Sequence, residues 1–227
     1  MAQSKDSVFW SLDGHHARFS ATEFGAVVNL LDPAHGLAEI RIGDINVEGF
    51  ALGVCPIEHV IRGTDEIADA YVRGTDLVVT YAQTDERPFE LEVYWRIGLL
   101  ADDVVQLDGI VSLQTCLLET FPQFHVRTNL PAQLASGLQV GILLRGTNAG
   151  WSYAEHARMR DPGALAVDDS DNATLITITR QLGGQFLEKG VIRRLQIRGL
   201  FLPRENDDTN AAKRLASLAV EEPPLTV

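Results

Sequence analysis

The sequence predicts an all-β protein: a large antiparallel β-sandwich followed by one short C-terminal helix. Three observations lead there. Residues 57–115 divide into five short apolar-alternating runs separated by tight turns, the spacing of an antiparallel meander. Arg62-Gly63-Thr64-Asp65 and Arg73-Gly74-Thr75-Asp76 are two copies of one turn signal, in which Gly supplies a permissive backbone and Asp local hydrogen bonding. Side chains alternate through residues 89–97 and 105–113. Phe89, Leu91, Val93, Trp95 and Ile97 therefore share one face, and Glu90, Glu92, Tyr94 and Arg96 the other.

Each element follows from local chemistry. Residues 8–10 and 17–19 read as short strands, and 24–31 is an apolar run rich in Val and Leu. Asp32-Pro33-Ala34-His35-Gly36 breaks it. Two β-rich runs, 37–42 and 45–54, meet at Gly43-Asp44, which suits a two-residue type II′ hairpin. Within the meander, 89–97 and 105–113 form the clearest hairpin, each strand with one buried and one wet face. Further strands are expected at 123–128, 138–144, 151–155, 173–180, 185–188 and 191–202, with a long loop at 156–172. Pro203 ends the last strand, and Asp207-Asp208-Thr209 offers helix N-caps. Ala211, Leu215, Leu218 and Ala219 then fall at helical spacing, which places the helix at 205–220. Glu221-Glu222-Pro223-Pro224 opens an extended tail, 221–227. Nothing between residues 1 and 205 reads as a linker, so one domain, 1–227, is the expectation. An up-and-down barrel is the alternative architecture.

Composition narrows the function classes. The 227 residues are 45 % hydrophobic, enough for a substantial core, and carry a net charge of −12. Nucleic acid and anionic membrane both require clustered Lys and Arg, so neither is an expected partner. Residues 1–7 are polar and lack the apolar core of a secretory signal, and no apolar run reaches a membrane span, so a cytoplasmic location is expected. Cys55 and Cys116 lie 61 residues apart in apolar strand contexts and read as buried free thiols. There is no nucleophile elbow, phosphate loop, dinucleotide fingerprint or zinc spacing. The acidic stretch 168–172 lacks the later ligands of a calcium loop, so no metal and no cofactor are expected.

Four constellations could carry chemistry. Gln123, His125 and Arg127 share one face of a strand, where Arg offers a fork of donors and His an acid or base to an anionic or polyhydroxy ligand. The plainer reading is a solvent face over core Phe124 and Val126. Trp151, Tyr153 and Glu155, followed by His156, would suit a sugar ring if the aromatic faces were exposed; otherwise they fill the core. Glu90 and Glu92 could divide acid and base roles, or simply pair with Arg96. Arg193, Arg194 and Arg198 form a basic strip that either binds an acidic ligand or pairs with local carboxylates.

The size, the long meander and the aromatic-bearing strands resemble the galactose mutarotase-like supersandwich, at the level of architecture and over most of the chain. The resemblance implies a His and a Glu on a concave sheet, acting as acid and base at a sugar anomeric centre. His125, His156 and Glu155 are the residues here that could take such parts, with Arg127, Trp151 and Tyr153 as ligand contacts. The leading expectation is a carbohydrate-binding or carbohydrate-modifying sandwich, its partner a carbohydrate or another small polar molecule. The alternatives are a non-catalytic assembly module forming a homo-oligomer, and a closed barrel around a small apolar ligand. A sugar site requires Trp151, Tyr153, His125 and Glu155 to converge in one partly exposed pocket; an assembly module spreads them through the core.

Overall fold

A computed structural model describes residues 9–57, 61, 63, 66–135, 140–147, 149–158, 163–169 and 175–221. The chain opens with β1 (Phe9–Asp13), β2 (His16–Ser20), β3 (Phe24–Asn29), β4 (Leu37–Ile42) and β5 (Ile45–Pro56). It crosses to β6 (Ile67–Arg73), β7 (Asp76–Tyr81), β8 (Glu90–Leu99) and β9 (Val105–Gln114), then runs through β10 (Glu119–Thr120) into β11 (Gln123–Leu130). Next come β12 (Ala132–Ala135), β13 (Ile142–Gly146), β14 (Trp151–Ala157), β15 (Leu165–Asp168) and β16 (Ile176–Gly183). Finally β17 (Leu187–Glu188) leads to β18 (Arg193–Pro203) and helix α1 (Asp207–Val220).

These strands form two eight-stranded antiparallel sheets. The first is ordered β1-β2-β3-β4-β5-β11-β16-β15 and the second β12-β13-β14-β18-β9-β8-β7-β6. Both are open, with β1 and β15, and β12 and β6, as edges, so the architecture is the expected sandwich and the alternative closed barrel is not formed. With it goes the reading of an apolar ligand enclosed in a barrel.

The core lies between the inward faces. Phe19, Phe24, Leu52, Val54, Phe124, Ile176 and Ile178 of the first sheet meet Leu91, Val93, Trp95, Leu107, Val111, Tyr153 and Phe201 of the second, and all are buried. The inward row predicted for residues 89–97 is fully buried. A smaller apolar cluster, including Leu143, Leu200 and Leu202, lies on the outward side of the second sheet under Ala211 and Leu215 of α1. Leu218 is buried as expected, whereas Ala219 is exposed. The helix N-cap is Asn206, in a left-handed conformation, and not Asp207, Asp208 or Thr209. Asp207 and Asp208 instead occupy the first turn, where the positive end of the helix dipole favours carboxylates.

β9 and β18 pair in the second sheet, β10 and β17 pair at the end of the sandwich, and β11 and β16 pair in the first. The three pairings form one continuous two-stranded ribbon that bends from sheet to sheet. Between Thr120↔Leu187 and Gln123↔Gly183 the second strand has one extra residue, a bulge at Gly183-Gly184. Both glycines have positive φ, and a Cβ at Gly183 would lie 2.2 Å from the Pro122 carbonyl oxygen.

Several local expectations change. The outward face of β8 and β9 is not wet: Tyr94, Asp108, Ile110 and Ser112 are all buried, Tyr94 and Ile110 in a small apolar cluster with Val78, and Asp108 in an ion pair with Arg198. One register row runs Arg73–Asp76–Arg96–Asp108–Arg198–His156 across β6, β7, β8, β9, β18 and β14. Arg96 grips Asp76 with two bonds of 2.7 and 2.8 Å, and Arg198 grips Asp108 at 2.8 and 3.1 Å. Residues 156–172 are not all loop, since β15 lies within them. The strand expected at 138–144 begins at Ile142, and 138–139 lie outside the described residues. The turn 62–65 lies outside them except for Gly63, as do most of the first meander run, residues 170–172 and the tail 222–227. The other turn copy joins β6 to β7, with Gly74 at φ +60°. Gly43 has φ +56° while Asp44 does not enter the left-handed region, as a type II′ hairpin requires. Cys55 is half-buried and Cys116 is exposed, contrary to two buried thiols; both are free. Cys116 follows the end of β9, where the chain leaves the sheet.

Candidate functional site

β11 is an interior strand of the first sheet, the sixth of eight, between β5 and β16. Phe124, Val126 and Leu130 point inward and are buried, so Gln123, His125, Arg127 and Asn129 point outward. Register places Cys55 and Gln181 on either side of His125, and Gly53 and Thr179 on either side of Arg127. Asn129 donates to Thr177 Oγ1 at 2.7 Å, and Gln181 donates to Gln123 Oε1 at 3.3 Å. The result is a polar platform on two adjacent strands. The side chains of His125 and Arg127 make no hydrogen bond or ion pair with any described residue.

A one-turn 3-10 helix, Pro33–His35, closes one side of this platform. It packs directly on β5: a Cβ at Gly53 would sit 2.0 Å from the Ala34 carbonyl oxygen, so only glycine admits the contact. Asp32 and His35 form a 2.6 Å pair, and the His35 ring meets Phe50 edge-on at 5.0 Å. Burial pushes the Cys55 thiol up, opposed by Arg127 and reinforced by Asp32, so all three lie within electrostatic reach.

The other residues singled out in the sequence lie elsewhere. Trp151 and Tyr153 are core side chains that pack edge-on or tilted against Phe201. Glu155 is buried between the sheets. Its carboxylate accepts from Thr128 Oγ1 at 2.7 Å, Tyr153 OH at 3.0 Å and Arg180 Nε at 2.8 Å. Burial and the adjacent carboxylate raise the Tyr153 phenol well above its ordinary value. His156 points the opposite way from Glu155, to the outward side of the second sheet, where burial and then Arg180 lower its pKa from 6.5. His125, Glu155 and His156 therefore occupy three different surfaces: outward on the first sheet, interior, and outward on the second. Trp151, Tyr153, Glu155 and His125 do not converge in one exposed pocket.

The carboxylate pair and part of the basic strip do meet. Glu90, Glu92, Tyr94, Ser112 and Arg194 line a shallow cleft of about 260 Å³ on the outward face of the second sheet. Tyr94 donates to Glu92 at 2.5 Å and Arg194 to Ser112 at 3.0 Å. Burial, then Glu92, raises the Glu90 carboxyl. Arg198 is absorbed by Asp108 and by Glu221 beside α1. The sequence did not single out Asn129, Thr177, Thr179 and Gln181, nor Asp32 and His35 as neighbours of β11. Alternation marks Thr177, Thr179 and Gln181 as one face of a strand, but pairing of β16 with β11 is a long-range fact. Among the described residues no group of three His, Cys, Asp or Glu side chains could hold a metal ion. No helix among them is long and apolar enough to cross a membrane.

The sequence matches no protein-family model and no curated protein. Solved structures match its fold. A candidate aldose 1-epimerase from Klebsiella pneumoniae superposes with a TM-score of 0.56 at 7 % identity, over 89 % of this chain and 83 % of that one. A galactose mutarotase-like protein from Lactobacillus casei gives 0.41 at 9 % identity, over 86 % of this chain and all of that one. A mutant heparan sulfate lyase from Pedobacter heparinus gives 0.49 at 8 % identity, over 79 % of this chain. This chain spans 33 % of that lyase and 21 % of a kojibiose phosphorylase it also matches. At such identities the likeness is one of fold. The chain resembles the galactose mutarotase-like proteins at the level of architecture, as expected from its sequence, and the likeness covers 83 % of the Klebsiella protein.

Proposed function

We propose that the outward face of the first sheet binds a carbohydrate, through Gln123, His125 and Arg127 with Asn129, Thr177, Thr179 and Gln181 around them. The observation behind this reading is that two neighbouring outward side chains of β11 are unengaged among the described residues. Arg41, Arg87, Arg96, Arg145, Arg180 and Arg198 are all held by carboxylates or carbonyls, whereas His125 and Arg127 are held by nothing described. Arg127 presents a planar fork to paired hydroxyls or to the carboxylate of a sugar acid. The amides and hydroxyls beside it both donate and accept, as a polyhydroxy ring requires. The mutarotase-like fold supports the same class of ligand by analogy. Binding is favoured over anomeric acid–base chemistry because Glu155 lies on the far side of the sheet from His125, and Asp32 is already engaged by His35.

The test is calorimetric titration with neutral monosaccharides, uronic acids and short oligosaccharides. Losing a hydrogen bond to a charged group costs ~1.5–3 kcal/mol, so Arg127→Ala should weaken binding roughly ten- to hundredfold. His125→Ala should weaken it less. If no sugar binds, or if both variants bind as the wild type does, the proposal is wrong.

A further inference from the structure

The ribbon formed by β10 and β17 turns its inner side to the core, where Thr120 and Leu187 are buried. The segments flanking it carry exposed apolar side chains. Leu117, Leu118, Phe121, Phe186, Val191 and Ile192 make up six of the fourteen exposed large hydrophobic side chains among the described residues. They come from only two short segments, held together by the β10–β17 pairing and by the Phe121–Phe186 ring contact at 5.8 Å. Leu118 is 83 % exposed and Phe121 58 %. Scattered exposed hydrophobics need no explanation, but a contiguous group marks an interaction surface.

The charges on the same ribbon indicate what covers it. Glu119 lies directly opposite Glu188, a like-charge pairing that destabilises an antiparallel ribbon unless a cation approaches. Neither carboxylate is paired with a described residue, and neither is Lys189, which follows Glu188. Segments 116–121 and 185–193 hold two carboxylates and two cations, Lys189 and Arg193, and so are neutral in a chain of net charge −12. Two copies of such an acidic chain repel each other over most of their surface and least here. A two-fold contact also lets Lys189 of each copy face the carboxylate pair of the other, as an isologous interface requires.

We propose that two copies of this chain pair through the β10–β17 end of the sandwich, burying the Leu118 and Phe121 surface and matching Lys189 against Glu119 and Glu188. Analytical ultracentrifugation across micromolar concentrations tests it. The wild type should sediment at twice the chain mass. Leu118→Glu should sediment at the single-chain mass with an unchanged circular dichroism spectrum, because this side chain supports nothing inside its own copy. Lys189→Glu, also on the exposed turn, should weaken the dimer at least tenfold by adding a third carboxylate to the patch. A wild type that stays at the single-chain mass overturns the proposal. So does a dimer that survives Leu118→Glu, since another surface would then hold the copies together.

Discussion

Glu155 is tolerable in the core only because three donors meet it. An uncompensated carboxylate between two apolar sheets would be strongly destabilising, whereas a paired and hydrogen-bonded one is close to neutral against an apolar isostere. Arg180→Met removes the charged partner and should lower stability by ~3–5 kcal/mol, read as a shift of the urea midpoint. Arg180→Met combined with Glu155→Met should recover most of the loss. A single-variant change below ~1 kcal/mol would show that Arg180 is not what compensates the carboxylate. These side chains also mark where sequence reading stopped. Alternation correctly grouped Trp151, Tyr153 and Glu155 on one face, and Gln123, His125 and Arg127 on another. It could not say which of the two faces looks outward, because period two has no sign. Phe124 and Val126 resolved the His125 row, since both flank it and both are apolar. Glu155 misled because its partners Thr128 and Arg180 arrive from the other sheet.

Helix α1 is fastened at both ends by carboxylates. Asp207 accepts from Arg145 at 2.9 Å and Ser152 at 2.6 Å; burial opposes its ionisation, but these bonds outweigh it and its pKa is lowered. Glu221 accepts from Arg198 and Ser217, and the Arg198 bonds chiefly pull its carboxyl down from 4.5 to about 2. A carboxylate with a depressed folded-state pKa stabilises fully above its unfolded value and loses that contribution as pH falls through the folded value. The Glu221 contribution should therefore be intact above pH 4.5 and fade toward pH 2. His156, whose pKa is lowered from 6.5, works in the same direction, because the unfolded chain takes up that proton first as pH falls. Stability should thus decline on acidification below 6.5 and again below 4.5. Glu221 stays 41 % exposed, so solvent screening keeps its share shallow. Thermal unfolding midpoints between pH 7 and 2.5 should show a flatter acid limb in Glu221→Gln; an identical limb would rule Glu221 out as its source. The helix itself was legible from Ala211, Leu215 and Leu218. Elements β10, β12 and β15 were not read because two to four residues are too short for periodicity to show, whereas β17 falls within the strand expected at 185–188.

At the scale of the molecule, strand order was the least legible property. β5 pairs with β11 and β9 with β18, and such partners are brought together by the closure of long loops that leave no local signal. The meander β6 to β9 was legible because neighbours in sequence are neighbours in the sheet. The same topology predicts an order of local stability. β9, β11 and β18 are paired on both sides and form most of the bent ribbon, whereas β1, β6, β12 and β15 are edges. Hydrogen exchange should be slowest in the first group and faster by orders of magnitude in the second. Equal protection at the edges would mean that another chain covers them.

The row of alternating charges from Asp76 to Arg198 answers an ambiguity built into every sheet. Sliding a strand by one residue turns its apolar side chains to water, so hydrophobicity forbids that error; sliding it by two restores the alternation and goes undetected. In β8 such a slip would carry Arg96 from Asp76 and Asp108 to a place beside Gln106 or Ile110, stranding a buried carboxylate on each neighbouring strand. The charges make costly the one mispairing that the oil-and-water pattern cannot see. They act as a parity check on the assembly of four strands.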